Sequence, residues 1–75
     1  MRRIQTSETA VQSVIVSKKR MTLKAARAWI DSHGYRRKKE HATKETWRYR
    51  QLAPKKGARY RNYPLSNGVT LVLMY

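Results

Sequence analysis

The sequence predicts a single small α+β domain, with one helix packed on one face of a largely antiparallel sheet in the order β-α-β-β-β. Three observations carry this reading. The run VQSVIVS, residues 11–17, is rich in β-branched residues and suits a mostly buried strand. A unit whose apolar residues recur at helical spacing follows it. Near the end of the chain, Asn67-Gly68 separates two strand-like segments, the arrangement of a tight hairpin. Seventy-five residues enclose one hydrophobic core and no more.

Residues 1–10, MRRIQTSETA, are polar apart from Ile4 and predict a flexible arm, leaving residues 11–75 as the domain. Thr22 is placed to cap a helix whose Leu23, Ala26, Trp29, Ile30 and His33 share one face, while Lys24, Arg27 and Asp31 point away. Trp29 is expected to be buried beneath it. Gly34 supplies the left-handed stop, and Tyr35 is placed to fold back on the last turn. Residues 36–44, RRKKEHATK, have no periodicity and read as an exposed loop. Three strands follow, over residues 46–52, 58–64 and 69–75, the last apolar enough to sit centrally. A type I′ turn needs positive φ at both central residues, which suits Asn67 and Gly68.

Charge narrows the function. Eighteen Lys and Arg against four Asp and Glu give a net charge of +14, whose self-repulsion opposes compaction unless anions screen it. A polyanionic partner is expected, nucleic acid first and anionic membrane as the competitor. No segment approaches the ~20 apolar residues of a membrane span, and the N-terminus lacks the apolar run of a secretory signal. The absence of cysteine removes disulfides and thiolate metal sites and fits a reducing compartment. A soluble, intracellular protein is expected.

The stretch TWRYRQLAPKKGARYRNY, residues 46–63, alternates aromatic and arginine residues on both sides of a Pro/Lys/Gly break. With Asn67 and Gly68 at the two turn positions, Tyr63 falls opposite Val72, Arg61 opposite Met74 and Tyr60 opposite Tyr75. Tyr60, Asn62, Leu71 and Leu73 then share the helix-facing side. Burying Trp47, Tyr49 and Tyr60 places Arg48, Arg50, Arg59 and Arg61 together on the other, where like charges on neighbouring strands are unfavourable without an anion. Tyr63 shares that face and is a candidate for stacking on a base.

Two more basic clusters flank the helix. Lys18-Lys19-Arg20 precedes its N-terminus, where free amides already favour anions, and Arg36-Arg37-Lys38-Lys39 follows its C-terminus. Taken as about twelve residues, the helix separates them by roughly 18 Å, a span that bridges several phosphates. Glu8, Asp31, Glu40, Glu45, His33 and His41 are scattered over arm, helix and loops. They form no catalytic triad or metal-ligand spacing, and no Gly-rich phosphate loop accompanies them, so neither catalysis nor a cofactor is expected.

The segments TLKAARAWIDSHGY, TWRYRQLAP and GVTLVL together resemble a small domain of tailed-phage genomes, found within or beside head-morphogenesis (prohead) proteins, and of other large DNA viruses. The match runs in order through Trp29, His33, Gly34, Tyr49, Arg50, Gln51, Gly68 and Val69. The resemblance implies a viral context and a place at the capsid or with the packaged genome, in the host cytoplasm or the virion. Combined with the charge, it predicts a non-catalytic nucleic-acid-binding accessory protein, with DNA preferred to RNA. The alternative is a virion-associated or host-directed module that contacts an acidic protein surface.

Overall fold

β1 (Ala10–Ser17) is the central strand of a five-stranded antiparallel sheet, because its β-branched residues have neighbours to bury them on both sides. The other elements are α1 (Leu23–Ser32), β2 (Glu40–Ala42), β3 (Thr46–Arg50), β4 (Tyr60–Pro64) and β5 (Val69–Met74), and the strands lie in the order β2-β3-β1-β5-β4. This computed structural model describes residues 10–65 and 67–75. The expected arm therefore lies outside the described residues, apart from Ala10, which opens β1. The α+β class with one helix on a sheet holds, with five strands where four were expected.

α1 begins and ends as its sequence dictates. The Thr22 hydroxyl accepts from the Ala25 amide at 3.1 Å. At the other end Gly34 has φ 77°, its amide donates to Asp31 O, and the Tyr35 amide reaches back to Ile30 O at 3.0 Å, the paired bonds of a Schellman stop. Ala26 and Ile30 are fully buried against Val14, Val16, Tyr49 and Val69 of the sheet. Trp29, expected beneath the helix, is only partly buried. It packs against this core from the margin and also stacks on His33, centroids 3.8 Å apart, and on Tyr35 at 6.0 Å. Tyr49 is the largest fully buried side chain.

The segment read as a loop contains the short edge strand β2, which pairs Glu40 with Tyr49, His41 with Arg48 and Ala42 with Trp47. Periodicity could not reveal a strand of three residues.

The β4–β5 hairpin departs by one residue from the expected register. Leu65 N–H donates to Val69 O at 2.7 Å, and Tyr63 pairs with Leu71, Arg61 with Leu73 and Tyr60 with Met74. The loop therefore holds three residues, 66–68, not two. Of its described residues the left-handed one is Gly68, φ 88°, which packs on Arg20 and whose carbonyl accepts from the Ser17 amide at 2.9 Å. Contact with the β1–α1 connection thus sets the register that the Asn-Gly pair alone would have set otherwise.

Because side chains alternate, that slip turns β4 over relative to β5. Tyr60, Asn62 and Pro64 join Thr70, Val72 and Met74 on the face away from the helix, and Arg61 and Tyr63 join Leu71 and Leu73 on the helix side. β4 is an edge strand, and Pro64 belongs there. Backbone bonds at Arg59 and Leu65 face β5, so the even-numbered residues between them face outward, and a missing N–H costs nothing at such a position.

Candidate nucleic-acid interface

The open face is built from β3 outward. Trp47 and Tyr49 point to the helix as expected, which leaves Arg48 and Arg50 exposed on the other side, across from Ile15 and Ser13 of β1. Arg59 and Arg61 do not join them. Arg61 shares the helix side with Leu73, and strand alternation puts Arg59 there too, so the expected four-arginine face does not form. Tyr63 is likewise on the helix side, 54% exposed, while Tyr60 replaces it on the open face. One register step accounts for all of these corrections.

What β3 gains instead is the connection after the helix. Lys38, Lys39, His41, Arg48 and Arg50 line one cleft, and Arg36, Lys38, Lys39 and Arg50 line its continuation toward Leu52 and Ala53. Gln51 holds this arrangement in place. Its side-chain amide accepts from Arg36 N–H at 2.8 Å and donates to Arg36 O at 2.9 Å, copying a strand pairing with a side chain. The bulged Gln12 secures the same end, since its carbonyl accepts from the Gln51 and Leu52 amides, at 2.8 and 3.2 Å. The sequence singled out Gln51 only within the resemblance and gave Gln12 no role, because position beside a strand end carries no information about partners.

Glu40 is the one carboxylate among the described residues that line these clefts, and it is engaged on the helix side. Arg27 Nε and Nη2 donate to its two oxygens at 3.0 and 2.7 Å, and the Tyr49 hydroxyl donates at 2.7 Å. Arg27, expected to point away from the sheet, reaches its edge because β2 brings Glu40 within range. The Arg27 hydrogen bonds, helped by the Tyr49 hydroxyl, hold the Glu40 carboxyl down to about 2. Burial foremost, with Glu40 beside it, pushes the Tyr49 hydroxyl above its ordinary value. Glu40 thus stays ionised but is neutralised by Arg27, and the cationic clefts keep their charge.

The remaining clusters divide. Arg37 is paired with Asp31 at 2.8 Å and tied to the helix. Lys18 Nζ donates to Thr43 O, at 2.6 Å, and lies over the Trp47 ring, 5.5 Å from its centroid, which bolts the β2–β3 turn. Ser17 pairs with Thr46 whereas Ser13 pairs with Arg50, so Lys18, Lys19 and Arg20 sit at the opposite end of β3 from the clefts. The helix between the flanking clusters has ten residues rather than twelve.

No protein-family model, curated protein or solved structure matches this chain. Among the described residues, no three His, Asp or Glu side chains cluster as a metal site, and no helix is long and apolar enough to cross a membrane.

Proposed function

We propose that this protein binds nucleic acid without catalysis, through phosphate contacts from Arg48 and Arg50 on β3 together with Arg36, Lys38 and Lys39. The observation that supports this is the convergence of two basic segments, distant in sequence, around adjoining clefts whose single carboxylate is already neutralised by Arg27. Cations gathered without counter-charge repel one another, and a polyanion relieves that cost. Arginine is suited to it, because its planar fork matches phosphate oxygens. The resemblance to a phage and viral domain supports reading the protein as an accessory of such a genome, with DNA as the partner.

Titration with labelled DNA across a salt series tests this. Five cationic contacts predict a slope of about −4.5 for duplex or about −3.5 for a single strand, hence a hundredfold or greater fall in affinity between about 50 and about 200 mM salt. A flat response would exclude nucleic acid as the main partner.

A further inference from the structure

The open face carries a feature that phosphate contacts leave unused. Between Arg48 on β3 and Asn62 on β4 runs a cleft of about 450 Å³, floored by Ile15 and Val72 and walled by Pro54 and Tyr60. Its floor is β1 and β5, the two strands between β3 and β4, since Ile15 pairs with Arg48 and Val72 with Asn62. The volume lies within the ~300–1,000 Å³ of ordinary ligand sites.

Each wall has a chemistry. Ile15 and Val72 offer no hydrogen bond, so the floor takes an apolar surface. Tyr60 is 43% exposed, yet its hydroxyl accepts from the Lys55 amide at 3.0 Å, which ties the ring to the loop beyond Pro54. An open aromatic ring anchored at one end is a stacking platform with little rotamer freedom left to lose. The Asn62 amide, exposed on the rim, supplies both a donor and an acceptor. Arg48 belongs to this cleft and to the basic cleft beside it.

A flat heteroaromatic group with polar edges, joined to a phosphate, fits these walls. In a duplex the faces of each base are covered by its neighbours and its pairing edge is occupied, so only an unpaired nucleotide presents that group. From β4 to β3 is three interstrand spacings, roughly 14 Å, which one nucleotide and the reach of Arg48 can cover. We infer that the nucleic acid is single-stranded where it meets this face, with a base seated over Ile15 and Val72 against Tyr60 and its phosphates running along Arg48 and Arg50 toward Lys39. The inference rests on the nucleic-acid function proposed above and adds the strandedness and the seat of the base.

The test uses the whole protein with three labelled probes: an oligothymidylate of about twelve nucleotides, the same backbone made abasic, and a duplex of that length. Native protein should bind the base-bearing strand roughly tenfold or more tighter than the abasic strand. Tyr60→Leu should remove most of that difference, leave abasic binding, duplex binding and the salt slope unchanged, and melt near the native temperature. A loss on the duplex equal to that on the base-bearing strand would overturn the strandedness. Tyr60→Phe, which loses the hydroxyl and keeps the ring, should restore base-bearing binding. Equal binding of base-bearing and abasic strands by native protein, or an equal drop on both in Tyr60→Leu, would overturn the seat of the base. If Arg48→Gln and Arg50→Gln still weakened all three probes in that case, nucleic-acid binding itself would stand. Failure of every probe to bind with salt dependence would remove both.

Discussion

Gly68 lies so close to Arg20 that a Cβ at position 68 would collide with Arg20 Cβ. The contact joins the hairpin loop to the β1–α1 connection, and the Ser17 amide fixes it further by donating to Gly68 O. Two requirements meet at one residue, a left-handed backbone and the absence of a side chain. This junction decides which arginines share a face.

Gly68→Ala is therefore expected to destabilise the domain by about 2–3 kcal/mol, combining the ~1–2 kcal/mol cost of an L-residue in the left-handed region with the forced displacement of Arg20. Urea denaturation measures it. A midpoint equal to that of the native protein would show that the loop relaxes freely and does not set the register.

Tyr49 and Glu40 give a graded pair of variants. Tyr49→Phe keeps the buried ring and removes one hydrogen bond to a charged acceptor, an expected decrease of about 1.5–3 kcal/mol. Tyr49→Ala adds a cavity under Ile30 and should cost about 3–5 kcal/mol, which would unfold much of a domain this size. Equal stability of the native and Phe proteins would mean that water replaces the Glu40 contact at no cost.

Acid should weaken the fold through Glu40. Its carboxyl is held down to about 2 in the folded chain against about 4.3 in an unfolded one, so the stabilisation is present above that higher value and drains away as pH falls toward 2. The melting temperature should fall over that window, and Glu40→Gln should flatten the fall while lowering stability at neutral pH. An identical acid profile in the variant would place the responsible group elsewhere.

The two arginine pairs should separate in binding. Arg48→Gln with Arg50→Gln is expected to lower DNA affinity more than tenfold and to reduce the salt slope by about 1.4 units on a single strand, about 0.7 for each phosphate no longer neutralised, or by nearly two units on a duplex. Arg59→Gln with Arg61→Gln removes the same charge from the other side of the sheet and should act only through the general field. Matching effects in the two double variants would mean diffuse attraction rather than a defined face.

What the sequence determined on its own was local. Thr22, Gly34 and Tyr35 specify the ends of the helix through their own backbone groups, and the β-branched run of β1 and the Trp47/Tyr49 alternation assign faces through burial, so these were legible residue by residue. The tertiary structure decided everything that depended on a contact between distant segments. Ser17 and Arg20 acting on Gly68 chose the three-residue loop, and with a side-chain period of two that single step carried Arg61 and Tyr63 to the helix side and Tyr60 to the open one. Gln51 holding Arg36, and Arg27 reaching Glu40, made one basic surface from segments that no local pattern joins. Periodicity reports which side of a strand is buried, whereas pairing between strands is settled by the few hydrogen bonds and close contacts that only the assembled fold supplies.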